Sequence, residues 1–348
     1  MEKRRIQLTG GFTYTVSLPK KWAREVGIKH GDYVSLIPQP DMSLLIVPER
    51  RVRLEEAKEI TVTVDGAPEE AVRNVIAAYL SGCDVIKVLT STRKRSVLQA
   101  EGMKAIKETI KRKLVGAVVI GESATEVTIK CLVKYADLPI KDVLNRMYVM
   151  VRSMCSDVAR ALQRLDVSLL NEIWSRDDEV DKFYLFALRQ LKEALVNREM
   201  LKELGLRSSC ECLSYQLVAR SLERMGDHAS RVSQLLGGIL LDLSDDMLDM
   251  LIETCGWCVK VIDKTMSSFE ALDVKLANSV LSEAKKASNI DERAVVMLHE
   301  TAVAKVALRT LLSLRIVMES LKRIIEYCAD IAEVTIDLSA LSEKDVRV

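Results

Sequence analysis

Two pairs of carboxylates, each with a four-residue spacing, are the residues of this sequence best suited to chemistry. One pair is Asp177 and Asp181, and the other is Glu223 and Asp227. On a helix this spacing places both side chains of a pair on one face, about one turn apart. If the chain turns near Leu204-Gly205-Leu206, the two pairs come level within one or two turns. The four carboxylates are then predicted to form an oxygen cage for cations.

The alternative is that these acids form a solvated helix face. His228 follows Asp227 directly, and because one helical residue rotates the side chain by about 100°, we expect it to be exposed rather than a ligand. A di-metal oxidase on a helical bundle would need Glu-x-x-His ligand pairs. The residues three positions before the three histidines are Gly27, Met225 and Val296. No nucleophile has a partner base either, so we do not expect an enzyme.

The region after Pro139 must position these acids, and it has the pattern of a helical protein. It contains no further proline, and apolar residues recur every three to four positions. Breaks divide it into six helices in two groups of three, a duplicated unit. They fall near Leu165-Asp166, Leu204-Gly205, Gly237-Gly238 with Ser244-Asp245, Leu272-Asp273 and positions 299–304. Trp174 and Trp257 fall on apolar positions and are expected in the core.

The preceding region, residues 54–136, has the pattern strand, helix, strand, helix, strand, strand. A two-layer α/β sandwich is the economical packing for this order. It contains no glycine-rich phosphate-binding loop. It either binds a small ligand or serves as a spacer between the domains on either side of it.

Residues 1–53, the head, carry ten Lys and Arg against five Asp and Glu, a net charge of +5. The rest of the chain has 41 Lys and Arg against 45 Asp and Glu. The nearly neutral total is therefore the sum of a basic head and an acidic remainder. The head is predicted to be a small β unit around a short helix at Lys20 to Val26. Alone it buries too little apolar surface for a stable monomer.

The eight cysteines indicate a reducing, cytoplasmic protein, and we find no leader peptide or membrane span. Cys255 and Cys258 have a redox-like spacing, but they fall in the middle of an amphipathic helix. We expect them to be inert core residues.

The region from 137 onward resembles the PhoU family of phosphate-transport regulators. Glu223-Arg224-Met225-Gly226-Asp227-His228 and Asp177-Asp178-Glu179-Val180-Asp181 match that family's two acidic motifs. The resemblance implies tandem three-helix bundles at 137–240 and 241–340. It also implies that Asp177, Asp181, Glu223 and Asp227 hold a divalent or iron cluster, with Fe, Zn, Mn or Mg as candidates and no organic cofactor.

The second repeat departs from this motif. Its corresponding positions are Ala287, Asp291, Lys322 and Glu326. A lysine repels a metal and can neutralise Asp291 or Glu326 by pairing, so we expect no second cluster.

The head resembles the SpoVT/AbrB domain. Thr9 to Trp22 contains Leu-Pro-Lys, and Gly31-Asp32 follows in the order typical of that family. The resemblance implies a dimeric swapped-hairpin β-barrel that binds DNA through basic residues. We predict contacts to the phosphate backbone from five residues: Arg4, Arg5, Lys20, Lys21 and Arg24.

The leading hypothesis is a homodimeric, phosphate-responsive transcriptional regulator of phosphate uptake. Its head would bind DNA, and its helical body would take the signal. The alternative is a regulator that does not bind DNA and docks on the ATPase of a phosphate transporter.

Overall fold

The structure is a computed structural model that describes most of the chain. The described residues are 2–38, 42–48, 58–64, 67–90, 97–123, 125–133, 138–288, 290, 292 and 307–345. The chain divides into two compact units, Met1–Ala57 and Lys58–Val348, and each is described by itself. Helices dominate, with strands concentrated towards the N-terminus, which confirms the predicted mainly helical class.

The first unit contains two separate antiparallel strand pairs and one short helix. Its elements are β1 (Gln7–Thr9), β2 (Thr13–Thr15), α1 (Lys20–Glu25), β3 (Val34–Pro38) and β4 (Leu44–Pro48). β1 pairs with β2, and β3 pairs with β4. Gly10 and Gly11 form the first turn with φ of 64° and 78°, a region that glycine enters without steric cost. The predicted swapped-hairpin barrel needs a second chain and stays a prediction.

The N-terminal part of the second unit, residues 58–133, is the α/β segment. Its elements are β5 (Glu59–Val64), α2 (Pro68–Leu80), β6 (Val85–Thr90), α3 (Val97–Lys113), β7 (Ala117–Glu122) and β8 (Glu126–Cys131). The sheet order is β5-β6-β8-β7, with β5 parallel to β6 and the other pairs antiparallel. α2 and α3 pack on each other and on the sheet. Together they enclose an apolar core that includes Val75, Ile86 and Ile106.

The bundle, residues 138–345, contains the long helices of the protein. They are α4 (Ile140–Arg164), α5 (Val167–Ser175), α6 (Asp177–Val196), α7 (Arg198–Glu203), α8 (Ser209–Gly237), α9 (Asp245–Ala271), α10 (Val274–Lys285) and α11 (Leu308–Asp345). A 3₁₀ turn, Leu240–Asp242, lies between α8 and α9. The helices share one large apolar core, in which α8 packs against α4, α6 and α11.

Two breaks in the bundle have the same local chemistry, which supports the duplication. Leu165 and Leu272 end their helices in the left-handed region, with φ of 51° and 49°. Asp166 and Asp273 then cap the next helix by accepting hydrogen bonds from backbone N–H groups. Such an N-cap typically contributes about 1 kcal/mol to helix stability.

The first repeat contains more breaks than the sequence predicted. Its second helix is divided at Arg176 into α5 and α6, and the short α7 precedes the turn at Gly205. Trp174 lies beside this division and is 51% exposed, so its predicted core position is wrong. Trp257 is half-buried, with its indole N–H 3.3 Å from a Glu283 carboxylate oxygen. The break predicted at positions 299–304 lies outside the described residues.

The cysteines of α9 are inert core residues, as predicted. Cys255 and Cys258 are buried, and burial raises the pKa of both thiols. Among the helices of the described residues, we find none with a stretch apolar enough to cross a bilayer.

Candidate metal centre

α6 and α8 pack against each other and bring the predicted acids together. Asp177 is the first residue of α6, where the helix dipole favours a carboxylate, and Asp181 follows one turn later. Asp227 lies in the middle of α8. One carboxylate oxygen from each of these three residues lies within 4.8 Å of the other two. We call Asp177, Asp181 and Asp227 the acid cluster; Glu223, the fourth predicted ligand, lies outside it.

Gly226 allows the two helices to approach at this point. A Cβ atom at Gly226 would lie 3.1 Å from Val180 Cγ1 and 3.4 Å from Asp177 Oδ1. The first distance is tighter than normal packing, so the Val180 side chain would have to give way by a few tenths of an ångström. The glycine within the second acidic motif therefore helps to set the distance between the two carboxylate pairs.

We expect Gly226→Ala to stabilise the protein less than a matched glycine substitution. Gly256 lies inside α9, and a Cβ there would meet nothing within 4 Å. Gly256→Ala should therefore stabilise by about 0.5–1 kcal/mol, because alanine favours the helix. The change in the free energy of unfolding caused by Gly226→Ala should lie about 1–3 kcal/mol below that of Gly256→Ala, because overpacking usually costs this much. Urea denaturation in the presence of a chelator measures both, and equal gains would show that the Val180 side chain gives way without cost.

Burial and repulsion by neighbouring carboxylates raise the pKa values of Asp177, Glu223 and Asp227. Burial, with the charges of Asp227 and Asp181, raises the pKa of Asp177 to about 7. Burial and Asp181 raise the pKa of Asp227, and burial and Asp227 raise that of Glu223. Without a cation, Asp177 therefore carries a proton for part of the time at neutral pH. Carboxylates held in this way gain from any positive charge placed between them.

Two buried oxygens at this site accept no hydrogen bond: Asp177 Oδ1 and Glu223 Oε2. Buried polar atoms in proteins normally have a partner, so such oxygens indicate a missing one. Carboxylate oxygens are the ligands that hard divalent cations prefer, and iron and manganese also accept them. The residues present therefore fit a metal ion.

Cationic side chains surround the acids. Lys113 Nζ, at the end of α3, donates to Asp181 Oδ2 at 2.7 Å. Arg224 donates to Asp227 Oδ2 at 3.1 Å, and its Nε lies 3.6 Å from Glu223 Oε2. These contacts offset part of the negative charge, but none of them is a hydrogen bond to Asp177 Oδ1 or Glu223 Oε2.

The equivalent positions of the second repeat differ in charge and burial. Ala287 is buried, and Lys322 Nζ lies 3.9 Å from a Glu326 oxygen, a pairing that the sequence predicted. Arg323 also donates to Glu326, at 2.5 Å. Asp291 lies outside the described residues. The absence of a second cluster stays a prediction.

His228 is not exposed, so the predicted exposed role is wrong. It is half-buried, and its ring lies against that of Tyr327 in α11, with 5.9 Å between centroids. Its Nδ1 is buried without a hydrogen bond. Burial and the charge of Arg323 lower the pKa of His228 to about 4. The neutral ring therefore belongs to the contact between the two repeats.

The five predicted DNA-binding residues are all exposed: Arg4, Arg5, Lys20, Lys21 and Arg24. Lys20 and Arg24 lie one turn apart on α1, so they share a helix face. Arg4 forms an ion pair with Glu2, and Lys21 Nζ lies 3.9 Å from Glu25. Such exposed pairs are weak, so these cations can exchange their partners for phosphate groups.

Sequence reasoning missed Lys113, the cation nearest to Asp181. It lies 68 residues from that carboxylate in the sequence and belongs to a different part of the fold. Its position in the last turn of a predicted helix was visible, but no local pattern could have indicated which acid it would meet.

A separate strand-rich unit followed by a unit with a large helical bundle defines a multidomain protein with an N-terminal module. The PhoU domain family matches residues 144–236, a range that contains all four predicted metal ligands. The bacterial antitoxin family "Antidote-toxin recognition MazE" matches residues 7–54, which include α1. The chain thus contains a region similar to the PhoU domain and an N-terminal region similar to MazE antitoxins.

Curated relatives match about a quarter of the chain. A "Phosphate-specific transport system accessory protein PhoU homolog" of Caulobacter vibrioides is 30% identical over 93 residues, covering 27% of this chain and 37% of the relative. The protein of the same description from Pseudomonas putida is 35% identical over 86 residues, covering 25% and 31%. The chain thus spans about a third of the length of these relatives.

Two solved structures of similar proteins are PhoU from Pseudomonas aeruginosa and the phosphate transport system regulatory protein PhoU from Streptococcus pneumoniae. The first has a TM-score of 0.45 at 21% identity and covers 57% of this chain and 93% of its own. The second has a TM-score of 0.45 at 18% identity and covers 57% and 91%.

Proposed function

We propose that this protein is a phosphate-responsive transcriptional regulator of phosphate uptake. It binds DNA as a homodimer through the head and receives its signal through the bundle, with a cation held at the acid cluster. The observation that carries the proposal is the presence in one chain of a basic AbrB-like head and a PhoU domain. The relatives named above are described as accessory and regulatory proteins, and we propose no catalytic activity.

Dimerisation of the head is supported by its lack of a core. None of its described residues is buried, and large apolar side chains are exposed. Phe12 is 95% exposed, Tyr14 77% and Tyr33 76%. A unit of this size cannot be stable with its apolar surface in water, and a second copy would supply a shared core.

DNA binding is supported by the charge of the head. A net charge of +5 per head becomes +10 in a dimer, which attracts an anionic polymer. Lys20, Lys21 and Arg24 lie on one exposed six-residue helix. Contacts of this kind go mainly to phosphates and give affinity for any duplex, while base contacts add the choice of site.

Cation binding in the bundle is supported by the geometry of the acids. Asp177, Asp181 and Asp227 would supply carboxylate oxygens, and Glu223 lies one turn from Asp227 with a buried oxygen that accepts no hydrogen bond. When bound, the metal ion supplies positive charge that joins α6 to α8. The acids hold and orient it, and Gly226 keeps the two helices close enough for them to do so.

A second candidate function follows from the descriptions of the relatives. Proteins described as accessory to a phosphate-specific transport system suggest that the bundle docks on a transporter ATPase. In that case the head serves only to dimerise the chain. Duplex binding by the full-length protein at physiological salt separates the two functions.

Mapping of DNA bound by the full-length protein in cells tests the leading proposal. We expect enrichment upstream of phosphate-uptake genes, with an occupancy that changes between phosphate-rich and phosphate-starved growth. A variant with Lys20→Glu and Lys21→Glu, expressed at the same level, should lose the enrichment. If the parent protein is enriched nowhere under either condition but co-purifies with a transporter ATPase, the second function is correct.

A further inference from the structure

Lys113 is a cation that the α/β segment places beside the acid cluster. It is the last residue of α3, and its Nζ lies 2.7 Å from Asp181 Oδ2 and 3.9 Å from Asp178 Oδ1. The Lys113 side chain is only 35% exposed and that of Asp181 24% exposed, so solvent screens this pair incompletely. The ammonium group therefore occupies one side of an acid that the proposed cation needs.

Lys113 stays charged in this position. A lysine ammonium group loses its proton only well above neutral pH, and here it donates a hydrogen bond to a carboxylate. An ammonium group has three donors and no acceptor, so it cannot coordinate a metal ion. It also repels a divalent cation at short range. Metal and Lys113 therefore compete for Asp181.

Other contacts hold the α/β segment to α6 further along the helix. Arg189 is buried and donates to the carbonyl oxygens of Tyr79 and Cys83, the latter at 3.0 Å. Lys58 Nζ lies 2.9 Å from Glu193 Oε2. These contacts lie two to three turns beyond Asp181, about 12–18 Å along the axis. They do not depend on the acid cluster.

We propose that Lys113 competes with the metal ion for Asp181, so that metal binding in the bundle releases Lys113 from Asp181 and loosens the C-terminal end of α3. The ion pair of Arg112 with Asp178 remains at that end, and the Arg189 contacts keep the α/β segment attached. This inference rests on the metal site proposed above. Metal occupancy thereby changes the docking of the segment that lies between head and bundle in the sequence. The competition also sets the metal affinity, because each binding event must displace an ion pair.

Removal of the Lys113 charge should strengthen metal binding by the full-length protein. We expect Lys113→Met to bind Mn²⁺ about 10- to 100-fold more tightly than the parent, the usual scale for groups beside a metal ligand. Lys113→Arg keeps the charge and should stay near the parent. Lys107 lies on the same helix and pairs with Glu122 in the α/β segment, so Lys107→Met is the matched control and should not change the affinity. Isothermal titration calorimetry with Mn²⁺ measures all four proteins.

Hydrogen exchange of the parent protein tests the release without any substitution. Mn²⁺ should increase exchange at the C-terminal end of α3 and decrease it at the start of α6. With Asp181→Ala and Asp227→Ala together, Mn²⁺ should change neither. Unchanged α3 exchange in a parent that has bound Mn²⁺ would overturn the release.

The outcomes separate this inference from the metal site itself. If the parent binds Mn²⁺ through Asp181 and Asp227 but Lys113→Met binds with parent affinity, the site stands and the competition is wrong. If neither the parent nor Lys113→Met binds Mn²⁺, both the site and the inference are overturned.

Discussion

Reversing Lys20 and Lys21 to glutamate is expected to weaken duplex DNA binding strongly, for specific and random sequences alike. In a homodimer each substitution acts twice, so the DNA face loses four positive charges and gains four negative ones. Phosphate contacts supply most of the affinity whatever the sequence, and each contributes about 0.9 to the salt slope. The loss of four contacts should therefore reduce the slope of log K against log salt by about 3.6.

The DNA affinity of the parent protein should depend steeply on salt concentration, and the reduced slope of the variant is measured against this dependence. A surface with about six to ten phosphate contacts loses roughly 10³- to 10⁵-fold in affinity between about 50 and 200 mM salt. Fluorescence anisotropy with one specific and one random duplex, across that range, gives both slopes. The two lysines are exposed and lie outside the bundle, so the far-ultraviolet circular dichroism of the helical body should not change.

A charge-matched control uses lysines of the bundle. Lys202 and Lys260 are exposed on α7 and α9, and their reversal to glutamate changes the net charge by the same amount. This control should retain the affinity and slope of the parent. If the Lys20 and Lys21 variant binds like the parent at every salt concentration, α1 does not face DNA, and docking on a transporter becomes the leading function.

The parts of the fold that sequence predicted are those with local causes. The helix ends at Leu165 and Leu272 follow from an aspartate placed to cap the next helix. The acid pairs of α6 and α8 were predictable because spacing alone decides which residues share a helix face. The helical bundle could therefore be predicted without any knowledge of long-range contacts.

Spacing alone, however, does not identify a site. Asp249 and Glu253 have the same four-residue spacing on α9, yet both are exposed. Asp177, Asp181 and Asp227 differ because a second helix faces the first, and Gly226 permits the close approach. Burial raises the pKa of Asp177 there, an effect of packing that no local pattern records.

Long-range contacts explain what the sequence missed. The ion pair between Lys113 and Asp181 joins the α/β segment to the bundle, and His228 packs on Tyr327 of the other repeat. The exposure of Trp174 depends on the break at Arg176, where helical dihedrals continue and no glycine or proline gives a signal. The ion pair, the burial of His228 and the exposure of Trp174 all depend on which helices and strands pack together in the folded protein.

Substitution of Asp181 and Asp227 by alanine together is expected to reduce the metal content of the purified protein to background. The two residues lie on different helices, so the pair of substitutions removes oxygens from both sides of the acid cluster. The remaining carboxylates cannot surround a cation, which in oxygen sites takes about six to eight ligands for Ca²⁺ and six for Mg²⁺. Elemental analysis by mass spectrometry, covering Fe, Zn, Mn and Mg, measures the change.

The exposed acids of α9 provide the control. Asp249→Ala with Glu253→Ala removes an acid pair of the same spacing that belongs to no candidate metal-binding group among the described residues, so its metal content should equal that of the parent. An Asp181→Asn and Asp227→Asn variant preserves side-chain shape and should lose metal as the alanine variant does. Metal content at the parent level in either cluster variant would show that the metal is held elsewhere.

The folding stability of the protein should increase with occupancy of the metal site, because a ligand that binds only the folded state stabilises that state. With free metal at about 100 times its dissociation constant, the free energy of unfolding of the parent should rise by about 2.7 kcal/mol. A chelator should remove this gain from the parent and from the α9 control, but leave the cluster variants unchanged. Without metal, the cluster variants should be at least as stable as the parent, because burial and repulsion among Asp177, Asp181 and Asp227 no longer oppose folding. A parent that is more stable than the variants in chelator would mean that Lys113 and Arg224 already compensate the acids fully, leaving a cation little to gain there.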